Sequence, residues 1–302
     1  MNRNTPSPSN LKELADLYSK IRGGDHSVRL NQRNLALLKS MIDFPDETAA
    51  KSISELAEEH GLHISSITRL AQKLGFQGFH DLKGLFRSNL KKQRSYYTDQ
   101  VKHLLQQDQK IIHGNTSILN QVVKDEWGNV LQMLDKVDDK TLSTVTNLIK
   151  NAGQVMVLGL RGCYPVAYYL SFYLGMILDR VSLAGQSGHT LGEDLSRLKK
   201  DSLLIAISAP PYTKETIDAC RICLKHEVKL VVITDNISSP LATGTNNVLL
   251  APIQGKYFFS PIAAMMICVE TLLAELVLQL GEKALTRLKR TETILESLQV
   301  EV

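Results

Sequence analysis

Residues 52–74 read SISELAEEHGLHISSITRLAQKL, and this stretch decides the fold of the N-terminal third. Ser52 and Glu55 stand in capping-box spacing, so a helix is expected to start at Ser52 with its first free N–H groups satisfied. Ile53, Leu56 and Ala57 give the i, i+3, i+4 stripe of an amphipathic helix, while Glu58, Glu59 and His60 face water. Gly61 supplies the positive φ that closes a helix tightly, and Leu62 fills the corner that follows. A second helix is expected from about Ile64 to Leu74, with Ile67, Leu70, Ala71 and Leu74 inward. Its other side carries Ser65, Ser66, Thr68, Arg69, Gln72 and Lys73. Short or basic donors of this kind suit a helix lying in a DNA major groove.

An ordinary two-helix corner with a solvated face has the same periodicity, so other features must separate the two readings. No carboxylate occurs from Leu62 through His80. Gly75-Phe76-Gln77-Gly78-Phe79 leads into a basic amphipathic helix over 79–92, in which Lys83 and Arg87 are expected to touch the phosphate backbone. Residues 1–95 hold 15 Lys+Arg against 10 Asp+Glu, whereas residues 96–302 hold 20 against 21. The basic excess therefore sits entirely in the first third, as phosphate neutralisation requires.

At 302 residues the chain is expected to form two domains, each with its own core. No stretch reads as a membrane span, the longest apolar run being near Ile262–Val269, and no secretory signal opens the chain. Cys163, Cys220, Cys223 and Cys268 are expected to be free thiols, which points to a reducing cytoplasm. The Cys220–Cys223 pair lacks a second CxxC or His pair, so packing is favoured over metal or redox chemistry.

From residue 153 the pattern changes. Continuous apolar runs at Val155–Gly159, Ser202–Ser208, Leu230–Thr234 and Val248–Leu250 alternate with helical stretches, closing with a helix over Pro261–Leu280. Such strands belong to a parallel sheet covered on both faces, an α/β sandwich, whose ligands bind beyond the carboxyl ends of the strands. Three loops lie there. In Gly159-Leu160-Arg161-Gly162-Cys163-Tyr164-Pro165, two glycines at a helix start favour an anion, and Arg161 adds a charge. Ser208–Thr216 offers Ser208, Tyr212, Thr213 and Glu215 near a helix N-terminus. Asp235–Ala242 reads as turn chemistry with Pro240 at a first helical position.

Ile205-Ala206-Ile207-Ser208, Thr213 with Glu215, and Ile233-Thr234-Asp235 through Ser239-Pro240-Leu241-Ala242 resemble a SIS (sugar isomerase) domain. Ile53–Ala57, Gly61-Leu62, Ile67–Leu70, Lys73–Phe76 and Gly78-Phe79 resemble the DNA-binding domain of RpiR-type bacterial regulators. In this order, over roughly residues 10–280, the pair resembles the RpiR family. The resemblance implies an all-α helix–turn–helix domain, a dimeric SIS domain and a phosphorylated sugar as effector. The chain departs from it in the phosphate cradle. Pro210 and Pro211 stand where the family has Ser and Gly, Cys163 replaces a Ser, and Arg161 replaces a Gly. Proline has no N–H, so up to two anion donors are lost. At the recognition helix His63 stands at the usual Ser cap, which weakens capping by about 1 kcal/mol.

The expected organisation is a disordered tail over 1–10, a helix–turn–helix domain over 11–90, a linker and connecting helix over 91–130, a SIS-type domain over 131–285 and a tail over 286–302. The expected function is a cytoplasmic, non-enzymatic transcription regulator, a homodimer or homotetramer on a double-stranded operator. A small effector, a sugar phosphate or related sugar derivative, binds at Gly159, Arg161, Gly162, Cys163, Ser208, Tyr212, Thr213 and Glu215. No cofactor, metal or membrane is expected. The alternative is a SIS-type sugar-phosphate isomerase with an N-terminal appendage, drawing its general base from Glu193, Asp194, His189 or Glu215.

Overall fold

The computed structural model describes residues 7–23, 28–94, 96–112, 117–185, 190–255 and 257–300, and divides the chain into two compact units, Met1–Tyr96 and Tyr97–Val302.

The first unit is helical: α1 (Leu11–Arg22), α2 (Gln32–Asp43), α3 (Pro45–Ala50), α4 (Ile53–Glu59), α5 (Ile64–Lys73) and α6 (Phe79–Arg94). The caps explain several starts. Asn10 and Asn31 accept from the backbone N–H three residues on. Ser52 and Glu55 form both bonds of the capping box, and Gly61 takes φ +59°. His63 makes no capping bond. The apolar stripe of α5, Ile67, Leu70 and Ala71, is fully buried against Leu37, Leu38, Leu56, Leu74, Leu82 and Phe86. Each buried leucine or isoleucine contributes about 1.5–3 kcal/mol. Two helices escaped the sequence reading. Pro45 begins α3, because a proline at the first helical position forfeits no hydrogen bond. α1 docks through Leu14, which is fully buried.

The second unit opens with most of α7 (Tyr96–Ile112), α8 (Ile118–Leu134) and α9 (Asp139–Lys150). It continues β1 (Val155–Gly159), a 3-10 turn at Arg161–Cys163, α10 (Tyr164–Ile177), β2 (Val181–Leu183), α11 (Leu191–Ser196) and β3 (Leu203–Ile207). It ends with α12 (Lys214–Lys225), β4 (Lys229–Thr234), β5 (Val248–Leu250), α13 (Ala263–Leu280) and α14 (Glu282–Ser297). The five strands are all parallel, in the order β2-β1-β3-β4-β5. Alternate strand residues feed two cores. Val155, Val157, Leu203, Ile205 and Val231 pack with α8, α9, α10 and α13, while Met156, Leu158, Leu204, Ala206 and Val232 pack with α11 and α12. That double burial makes the strands apolar throughout.

The differences from expectation have physical reasons. β2 is three half-buried edge residues with a central serine, too short to show as an apolar run. The segment expected as a tail over 286–302 is helical to Ser297, anchored by buried Ala284 and by the Arg287–Asp179 ion pair. Residues 97–130, expected as a separate linker, group with the second unit. On α8, Met133 turns inward, but Trp127, Leu131 and Leu134 are exposed. Residues 235–242 form turns and no helix, so Pro240 does not start one. α13 is long and apolar enough by length and composition to cross a membrane, which the sequence reading did not register. Here Ala264, Met265, Cys268, Val269, Leu272 and Leu276 are buried in the core beneath the sheet, and Glu270 and Glu275 lie within the same helix.

Candidate DNA-binding surface and effector site

On α5 the outward face presents Ser65, Arg69, Gln72 and Lys73 fully to solvent, with Ser66 and Thr68 half-buried. Arg69 folds along the helix, its Nε donating to the Ser65 carbonyl at 3.1 Å and Nη2 to Ser65 Oγ at 3.2 Å. Lys73 Nζ donates to the Arg29 carbonyl at 2.9 Å, and Thr68 Oγ1 to the Ile64 carbonyl at 3.3 Å. These bonds are exposed, so water or phosphate can replace them at little cost. Arg87, on α6, is exposed as well.

Lys83 does not share that surface. It is 8% exposed, and its ammonium donates to the carbonyls of Ala50, at 3.3 Å, and of Lys51. Those carbonyls close α3, so Lys83 is a buried cap rather than a phosphate contact. Burial holds its pKa below the ordinary lysine value. The sequence showed only a lysine in a basic helix; which side it faced was decided by packing against α3.

In the second unit the chain leaves β1 toward β2 on one side and β3 on the other, so the loops after β1 and β3 flank a switch point. Gly159 sits where a Cβ would come within 2.7 Å of Ala167 Cβ and 2.8 Å of the Cys163 carbonyl, so its glycine is required by the close approach of α10. Arg161 takes φ +54° and points to α7, its Nη2 donating to Tyr97 Oη at 3.1 Å with the guanidinium 5.8 Å from the ring centre. Gly162 is exposed with open space around it. The Cys163 thiol is buried and pushed up to about 11 by desolvation.

The loop after β3 holds Ser208 and Thr213 almost buried, Tyr212 half-buried and Glu215 exposed, with a cis peptide between Pro210 and Pro211. Thr213 caps α12 by position, but its side chain makes no capping bond. Tyr212 Oη donates to Asp235 Oδ1 at 2.7 Å, joining this loop to the one after β4. Thr234 Oγ1 lies 2.9 Å from both the Ser208 carbonyl and Ser239 Oγ. Burial pushes both the Tyr212 phenol and the Asp235 carboxyl above their ordinary values. The sequence suggests turn chemistry for Asp235 and Ser239 and the end of a strand for Thr234. Only the signal that they follow a buried parallel strand pointed to a site.

Two of the four residues considered for isomerase chemistry are otherwise engaged, and Glu215 is exposed at the start of α12. Glu193 completes a capping box with Thr190, and Asp194 is buried and accepts from the Gly185 N–H at 2.7 Å. His189 lies outside the described residues. Cys220 and Cys223 are buried free thiols, raised to about 12 and about 11 by desolvation, and no metal-binding cluster occurs among the described residues. A cavity of about 300 Å³ opens at the opposite, amino-terminal edge of the sheet, lined by residues including Arg180, Lys199 and Asp201. It is remote from the loops that the strand order places at the switch point.

The helix-turn-helix domain of the rpiR family matches residues 17–93, and the SIS domain matches residues 148–275. The chain belongs to the RpiR family. An uncharacterized HTH-type transcriptional regulator of Clostridium perfringens is 26% identical over 196 residues, covering 65% of this chain and 68% of that protein. The crystal structure of the sugar isomerase domain of an RpiR transcription factor from Sphaerobacter thermophilus is 25% identical, with TM-score 0.56, covering 59% of this chain and 99% of that one. The Vibrio vulnificus NanR protein, complexed with ManNAc-6P, shares the fold at 17% identity and TM-score 0.53, covering 93% of this chain and 98% of that one. This RpiR-type chain thus pairs a helix–turn–helix with a SIS sandwich, the make-up of transcription regulators.

Proposed function

We propose that this protein is a cytoplasmic transcription regulator. Its α5 reads a double-stranded operator, and its SIS domain binds a sugar phosphate or related sugar derivative that changes operator affinity. The observation that carries the reading is the carboxylate-free, outward face of α5, in a chain whose other unit is a parallel sheet with polar loops at its switch point. Ser65, Ser66, Thr68, Arg69, Gln72 and Lys73 make the DNA contacts. Ser208, Tyr212, Thr213 and Glu215, with Gly159, Arg161, Gly162 and Cys163, frame the effector. Control requires the effector to favour one arrangement of the assembly over another. The assembly is a homodimer or homotetramer, supported by the exposed stripe Leu119, Val123, Trp127 and Leu131 on α8.

The test is titration of the full chain into labelled duplex from its own upstream region at several salt concentrations. Binding that falls steeply with salt, and weakens about 10-fold or more in Arg69→Ala at unchanged melting temperature, is expected. Equal binding by the variant sinks the assignment. No observation favours the isomerase reading, since Glu193 and Asp194 hold structural bonds.

A further inference from the structure

The loops at the carboxyl edge of the sheet are short of groups that hold a phosphoryl dianion. Pro210 and Pro211 have no N–H to offer. Arg161, the cation of the first loop, lies on Tyr97. Lys214, at the start of α12, pairs with Asp218. The N-terminus of α12 remains, but Glu215 stands in its first turn.

The same loops carry carboxyl groups instead, on Asp235 and Glu215. Asp235 is fixed by Tyr212 at 2.7 Å, beside Thr234, Ser239 and the Ser208 carbonyl. A dianion brought here meets two carboxylates and few donors in a partly desolvated site, where repulsion is strong. A hydroxyl or amine meets acceptors.

Resting on the reading of these loops as the effector site, we propose that the effector is a sugar derivative without a phosphoryl group, held by hydroxyl or amine hydrogens donated to Asp235 and Glu215. Pro210, Pro211 and Asp235 are then specificity determinants that reject phosphate esters.

The experiment has two arms, both on the full-length protein at constant ionic strength. In the first, melting is followed with matched pairs: glucosamine, N-acetylmannosamine and glucitol, each beside its 6-phosphate. An unphosphorylated member that stabilises the protein, with its ester binding at least tenfold more weakly, is the expected result. An ester that binds as tightly as or tighter than its parent overturns the proposal and leaves the sugar-sensing reading intact. In the second arm, inorganic phosphate is titrated against wild type, Asp235→Asn and the double variant P210S/P211G. A gain of at least tenfold in phosphate affinity in either variant is expected. Asp235→Asn keeps an acceptor for Tyr212, so it serves if the double variant does not fold. Wild type that already binds phosphate as well as both variants overturns the proposal. A gain in phosphate affinity with no response to any sugar upholds the rejection of phosphate while refuting the sugar effector itself.

Discussion

Replacing Lys83 with Met separates a structural lysine from a DNA-binding one. The apolar stem keeps its length, so local packing changes little, but the ammonium that caps Ala50 and Lys51 is lost. Hydrogen bonds from a charged donor are worth about 1.5–3 kcal/mol, and removing this one also leaves the closing carbonyls of α3 without that partner. Against this, burial already disfavours the charge, as the lowered pKa shows, so part of the loss is returned. A net loss of about 1–2 kcal/mol follows. A unit of this size, Met1–Tyr96, loses about 4–8 °C in melting temperature per kcal/mol. Circular dichroism melting reads the stability, and fluorescence anisotropy on operator duplex, well below the melting point, reads DNA affinity and its salt slope. Lower melting with unchanged affinity and slope is the expected pattern. A variant that melts like wild type but binds DNA tenfold more weakly, with a shallower salt dependence, refutes the inward assignment.

Gly159→Ala places a Cβ against Ala167 and the Cys163 carbonyl, so about 1–3 kcal/mol should be lost to overpacking, seen as a lower urea midpoint at unchanged slope; a neutral outcome contradicts the close approach. Acid should loosen the N-terminal unit. Glu13 is held below 4.5 by the Ser9 N–H, Glu55 by the Ser52 N–H and Glu59 by the Lys51 ammonium. A depressed folded-state pKa stabilises above the unfolded value and the gain is lost as pH falls through the folded one, so melting of this unit should drop below about pH 4.5. Glu55→Gln should flatten that dependence, and an unchanged profile argues against the capping box. On α8, the double substitution Val123→Glu with Leu131→Glu should weaken self-association about 100-fold or more by sedimentation, since buried anchors carry most interface energy; unchanged association places the interface elsewhere.

The sequence alone determined the elements whose signals are local. Capping residues, a left-handed glycine and 3.6-residue periodicity lie within one or two turns, so Ser52, Glu55, Gly61 and the buried stripe of α5 were readable residue by residue. The parallel sheet was readable because double burial forces continuous apolar strands. The family motifs, and the prolines at 210 and 211 that depart from them, also stand in the sequence itself. Tertiary structure decided what depends on a distant partner. Lys83 faces inward only because α3 ends beside it, and Arg161 is held by Tyr97, 64 positions away. Tyr212 is joined to Asp235 across 23 positions because β3 and β4 lie side by side in the sheet. β2 and α14 carry weak local signals, a three-residue edge and a charged amphipathic run, and are held by neighbours no local pattern announces. Periodicity fixes which side of a helix is apolar. Which polar side chain is buried, paired or left for a ligand is set by long-range packing, because the partner that satisfies it comes from another part of the chain.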